Sequence, residues 1–174
     1  MRGSFLVVVL LVTCLLAASC SPTFDWRELR VDATGLTAML PCKPDKGARE
    51  VPMAGRSLRL EGLGCDTGGA TFAVMYADLG DASRSDEVLA QWNRATLANL
   101  RAAAGQSRPF LPTGAIALPS SVQVDATGQR PDGRAVQSRA AYFARGSRVF
   151  QAVVFADRLR PEATDPFFQG LRFE

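Results

Sequence analysis

From residue 35 onward, apolar and polar positions alternate with a period of two, and glycine- or proline-rich segments interrupt them. Leu36, Ala38 and Leu40 alternate with Thr37 and Met39. Pro41 and Pro44 stop that strand, because proline donates no ladder hydrogen bond. Residues 42–47 (CKPDKG) read as loop and hold both lysines, Lys43 and Lys46. A second strand is expected from Arg49 to Met53, with Ala54-Gly55 as its turn. In Arg56–Glu61, Leu58 and Leu60 share one face while Ser57, Arg59 and Glu61 share the other, the mark of a half-buried strand. The segment GLGCDTGG (62–69) reads as a turn. Beyond it, Phe72, Val74 and Tyr76 fall on one face of Ala70–Asp78, and Ala73, Met75 and Ala77 on the other. Both faces are apolar, which predicts a central strand covered on two sides.

The period then changes to helical. Val88, Leu89, Trp92, Ala95, Thr96, Leu100 and Ala103 recur at helix spacing, opposite a polar face with Gln91, Asn93, Arg94 and Arg101. Ser83 and Asp86 form an S-x-x-D capping signature, and Gly105 is placed as the C-cap. Residues 106–120 contain Pro109, Pro112 and Pro119 and read as a loop or irregular edge. From Val122 a meander follows: an alternating strand, the turn Pro131-Asp132-Gly133, a strand over Ala135–Ala144, a turn near Arg145-Gly146, and a strand over Arg148–Ala156. That last strand is apolar on both faces and is expected to be central. Pro161 opens a short helix, after which Phe167, Phe168, Leu171 and Phe173 should pack the chain's end onto the sheet.

The fold class is therefore α+β: a mostly antiparallel sheet of six or seven strands, with one long helix and a short C-terminal helix packed on it. Residues 35–174 form the single domain, and residues 20–34 are a lead-in anchored by Trp26.

Composition narrows the function classes. The 174 residues are 47% hydrophobic and 21% charged, ordinary values for a globular protein. Twenty basic against 17 acidic residues give a net charge of +3, too small to draw nucleic acid, and no nucleic-acid partner is expected. There is no histidine. That removes Ser-His-Asp and Cys-His constellations, histidine bases and every histidine-containing zinc site.

The first nineteen residues read as a signal peptide: Arg2 as the positive region, Phe5–Leu16 as the apolar run, and Ala17-Ala18-Ser19 before a cut. The apolar run ends sooner than the roughly 20 residues a spanning helix needs. LLAASC (15–20) resembles the lipobox of bacterial lipoproteins, in which the cysteine is lipidated and becomes the mature N-terminus. It departs from the common pattern at Ala17, where leucine is usual. The resemblance implies a palmitate-bearing Cys20 that anchors the chain to a membrane. Ser21 after the cysteine, rather than aspartate, implies sorting to the outer membrane, on its periplasmic face. The alternative is an ordinary cut at the same bond, with secretion to the periplasm.

Cysteine arithmetic favours lipidation. Removing residues 1–19 leaves Cys20, Cys42 and Cys65, and lipidating Cys20 leaves one pair. In an oxidising compartment a Cys42–Cys65 disulfide is expected over a redox or metal pair, since the spacing is not C-x-x-C and no soft ligand accompanies it.

Three further features invite chemistry. Gly62, Gly64 and Gly68 superficially resemble a dinucleotide loop, but a strand rather than a helix follows, so they read as turn glycines. Asp66-Thr67-Gly68 matches the aspartic-protease triplet in a single copy, where such sites need two carboxylates, so Asp66 reads as a turn residue. Arg130, Arg134, Arg139, Arg145 and Arg148 cluster in the meander, as a solvated face or an anion patch. No metal or cofactor is expected.

The order of elements over residues 36–173, ending in the FFxGLRF helix, resembles the PsbP/LpqN-type domains. That resemblance implies an exported antiparallel sheet flanked by helices, in a family of assembly and accessory factors without common catalytic residues. The expectation is a lipid-anchored, non-catalytic envelope protein acting as a binding or accessory module. The alternative is an envelope hydrolase using carboxylates near Glu61 and Asp66.

Overall fold

The computed structural model describes residues 23–174, so the signal segment and Cys20 lie outside the described residues. Its centre is the strand that is apolar on both faces, β9 (Arg148–Ala156), in a seven-stranded antiparallel sheet. On one side β9 pairs with β5 (Ala70–Asp78), followed outward by β4 (Arg56–Thr67) and β3 (Asp45–Met53). On the other side stand β8 (Ala135–Arg145), β7 (Val122–Gln129) and the edge strand β6 (Gly105–Pro109). Helix α1 (Ser85–Asn99) carries the chain from β5 across to that far edge, and the meander then returns to close against β5. A second sheet holds β1 (Arg27–Val31), β2 (Leu36–Leu40) and β10 (Arg172–Phe173), which follows helix α2 (Pro161–Gln169).

Side-chain alternation in the large sheet makes three layers. Phe72, Val74, Phe143, Phe150, Ala152 and Val154 face one way, onto β2 and onto Phe167, Phe168 and Phe173. Ala77, Tyr142, Val149 and Val153 face the other way, onto Val88, Leu89 and Trp92 of α1.

The α+β class, the mostly antiparallel strands and the long helix agree with the sequence pattern, but the strands form two sheets rather than one: Leu36–Leu40 leaves the large sheet for the small one, and Gly105–Pro109 supplies the large sheet's edge strand. Further expectations are corrected, among them the loop over residues 42–47, since residues 45–47 already belong to β3. The lead-in is part of the fold: β1 pairs in register with β2, from Arg27↔Leu40 to Val31↔Leu36, and builds the separate small sheet. Residues 62–67 continue β4, and only Gly68 and Gly69 turn the chain, with φ of +59° and +75°. Gly105 begins β6 rather than capping α1. The helix start also differs: Asp81 accepts from the Ser83 N–H at 2.9 Å over a preceding 3-10 turn, while Asp86 accepts from the Ser120 N–H at 2.8 Å.

One ion pair ties the meander to the C-terminal helix. Asp125 of β7 faces Arg139 of β8, with Nε and Nη2 donating to its two oxygens at 2.7 and 2.8 Å, and Arg139 Nη1 reaches Thr164 of α2 at 3.2 Å. Burial pushes the Asp125 carboxyl up, but its hydrogen bonds and attraction to Arg139 and Arg108 outweigh this and hold it below its ordinary value. A carboxyl depressed in the folded state adds stability that is present above the unfolded value near 3.9 and is lost as pH falls through the lower folded value. Asp125→Asn should therefore cost roughly 1–3 kcal/mol at neutral pH. Urea titrations of both proteins should converge below about pH 4. A difference that is constant down to acid would contradict this account.

Candidate functional site

Cys42 lies just beyond β2, and Cys65 lies within β4 rather than in a turn. They form a disulfide with Cα atoms 6.0 Å apart, joining the small sheet's strand end to the large sheet. With a sequence separation of 23, closing this loop in the unfolded chain is worth about 3 kcal/mol. The Cys42→Ser/Cys65→Ser variant should still fold but melt lower, at roughly 2–4 °C per kcal/mol for a chain of this size. Calorimetry on both proteins checks this, and equal melting temperatures would remove the disulfide's assigned role.

The two carboxylates singled out by sequence do not form a pair. Glu61 and Asp66 are five residues apart on one strand, so they point to opposite faces about 17 Å apart. Asp66 is exposed and accepts the Thr71 hydroxyl hydrogen bond. Glu61 faces Tyr76 across β4 and β5, and Asp32 rather than Asp66 shares that tyrosine with it. The Tyr76 hydroxyl lies 3.0 Å from Glu61 Oε2 and 3.3 Å from Asp32 Oδ2. Arg59 pairs with Glu61 at 3.2 Å, and Lys46 pairs with Asp32. Burial, then the hydrogen bond to Glu61 and the two negative charges, push the Tyr76 phenol far up, so it stays protonated as a donor. Each carboxylate thus has its own cation and meets the same neutral phenol, an arrangement that ties the turn between β1 and β2 to β4 and β5.

The meander arginines do not make a patch. Arg134, Arg139 and Arg148 pair with Asp132, Asp125 and Asp78, and Arg130 pairs with Asp157. Arg145 lies over the Phe173 ring, 5.0 Å from its centroid. Among the described residues no group of three His, Cys, Asp or Glu side chains could hold a metal ion, and no helix is long and apolar enough to cross a membrane.

The structure adds a site that the sequence reading did not isolate. Helix α1 covers only part of its face of the sheet. Between α1 and β3 a cleft of about 560 Å³ remains, within the range of small-molecule sites. Met75, Phe155 and the Gln151 amide contribute to its floor, Trp92, Ala95 and Thr96 line it from the helix, and Val51 and Met53 line it from β3. Gln151 is 2% exposed and satisfied: its Nε2 donates to Thr96 Oγ1 and Tyr142 OH, both at 2.9 Å. Beside the cleft, Gly62 and Gly64 leave the sheet bare where other strands would carry side chains. A Cβ at either position would come within 2.7 Å of a β5 carbonyl oxygen, so the close strand approach itself requires glycine.

No protein-family model matches this chain, and no curated protein matches its sequence. Among solved structures, a protein of unknown function from Pseudomonas aeruginosa, PA94, is similar at 17% identity and a TM-score of 0.34. The match covers 80% of this chain and 86% of that one, a likeness too distant to bear on function.

Proposed function

We propose that this chain is a lipid-anchored, non-catalytic binding module of the bacterial envelope that holds its ligand in the cleft beside α1. The observation that carries the reading is the lining of that cleft. It is concave and mostly apolar, with a few polar groups, yet it contains no carboxylate, thiol or lysine, and the chain has no histidine. Acid–base or nucleophilic catalysis requires such a group within reach of substrate, whereas apolar walls with sparse polar groups suit retention. The lipobox at Cys20 supports the anchor and the envelope location.

Ala95 is exposed on α1 and borders the cleft, so Ala95→Phe fills the space without disturbing the core. The neutral fluorophore N-phenyl-1-naphthylamine should brighten with the wild-type protein and bind at least tenfold more weakly to Ala95→Phe at unchanged melting temperature. No brightening with wild type would remove the cleft as a binding site. Turnover in a hydrolase screen that is lost on Glu61→Gln or Asp66→Asn would favour the carboxylate enzyme instead.

A further inference from the structure

We infer that the cleft binds a single-chain amphiphile with an anionic head group, its tail along the apolar floor and its head against Arg130. This rests on the reading of the cleft as the binding site and adds the chemical class of the ligand.

The apolar half comes from Val51, Met53, Met75, Trp92 and Phe155, all of which line one continuous space. Methionine and aromatic side chains there offer an adaptable surface that fits a flexible chain rather than one rigid shape. The charged half is all of one sign: Arg49 and Arg130 are the only ionisable side chains in the lining. Arg49 is exposed and forms no ion pair among the described residues. Arg130 gives one Nη2 hydrogen bond to the exposed Asp157 at 3.1 Å, and its side chain remains 29% exposed. A guanidinium held by a single exposed carboxylate keeps further donors for an anionic oxygen.

Placement points the same way. Thr71 and Phe155 of the lining face each other one step inside the Ala70↔Ala156 pair, at the end of the sheet where the Gly68-Gly69 turn lies. Arg130 and Pro131 begin the turn before β8 at that same end. There the Thr67 hydroxyl donates to the Thr23 carbonyl at 2.9 Å, so the described chain starts beside it. Two residues separate Thr23 from Cys20, and the three Cα steps between them reach at most about 11 Å. A lipid on Cys20 therefore holds the Arg130 end of the cleft close to the bilayer, where anionic amphiphiles are found.

The test uses Trp92 as reporter. The chain has two tryptophans, so Trp26→Phe leaves Trp92 alone in the cleft wall. In the mature chain made soluble by Cys20→Ala, 9,10-dibromostearate should quench Trp92 emission, and stearate should reverse the quenching. Stearylamine should compete at least tenfold more weakly than stearate. Arg130→Gln should weaken stearate at least tenfold while N-phenyl-1-naphthylamine still binds. Equal competition by stearate and stearylamine, or no effect of the arginine change, would overturn the anionic preference while leaving the binding reading intact. Absence of quenching where the neutral fluorophore still binds would overturn the single-chain ligand. Failure of both probes would remove the cleft itself.

Discussion

Cys20→Ala should convert a membrane-held protein into a freely soluble one, with complete loss of radiolabelled palmitate. The size of the effect follows from how lipid anchors work. One acyl chain binds a membrane only marginally, whereas several hold durably, so the wild-type protein should stay with membranes through a high-salt wash. The variant should still be processed, because Ala17 and Ser19 also satisfy an ordinary signal-peptidase cut at the same bond. Its mature N-terminus would then be residue 20, and its mass would lack only the lipid and the sulfur. The fold should be untouched, since the disulfide uses Cys42 and Cys65. Equal melting temperatures for the two forms would separate loss of anchor from loss of structure. Wild-type protein that is unlabelled and freely soluble would end the lipoprotein reading, and with it the proposed closeness of the cleft to a bilayer.

What the sequence made legible, and what it hid, divides by the range of the cause. The centrality of β5 and β9 could be read from Phe72, Val74 and Tyr76 set against Ala73, Met75 and Ala77, and from the unbroken apolar run RVFQAVVFA, because a strand buried on both faces has no polar side to show. The turn at Pro131-Asp132-Gly133 was equally local, and Gly133 adopts a φ of +85°. The glycines of residues 62–69 were not legible in this way. All four look alike in sequence, yet Gly68 and Gly69 turn the chain while Gly62 and Gly64 make room for the β5 backbone. β1 was hidden because RELRV is mostly exposed and draws its order from β2. The capping signature at Ser83 and Asp86 was real chemistry directed elsewhere, since Asp86 serves the distant Ser120 N–H. The cleft was the least visible feature. Its lining joins α1, β3, β4, β5, β7, β8 and β9 with the turn at Arg130, and along the chain Trp92 is indistinguishable from a core residue of an amphipathic helix.

Phe150→Ala should be the most destabilising single change among the core aromatics, at roughly 3–5 kcal/mol. Phe150 is fully buried in the middle strand of the large sheet. It stacks on Phe143 with ring centroids 5.3 Å apart, meets Phe173 edge-on at 5.2 Å, and lies 6.0 Å from Tyr76. Truncation therefore removes a ring that three others lean on, one from the neighbouring strand, one from β5 and one from the small sheet. Little can collapse into the space, because those neighbours are fixed by strand pairing. Urea denaturation should show a lower midpoint at nearly unchanged slope, the sign of lost stability rather than an altered unfolded state. Phe155→Ala, taken from the half-buried cleft end of the same strand, should cost clearly less. The comparison with the disulfide is sharper still. Cys65 pairs with Phe72 and Phe150 with Tyr76, four residues further along β5 or about 13 Å, so the two losses should add. About 3 kcal/mol from the disulfide and 3–5 from the ring approach the whole stability of a typical domain, about 5–15 kcal/mol. The triple variant Cys42→Ser/Cys65→Ser/Phe150→Ala should accordingly be largely unfolded at growth temperature, although each parent folds. If it melted no lower than Phe150→Ala alone, the disulfide and the ring would be stabilising one and the same contact between the two sheets.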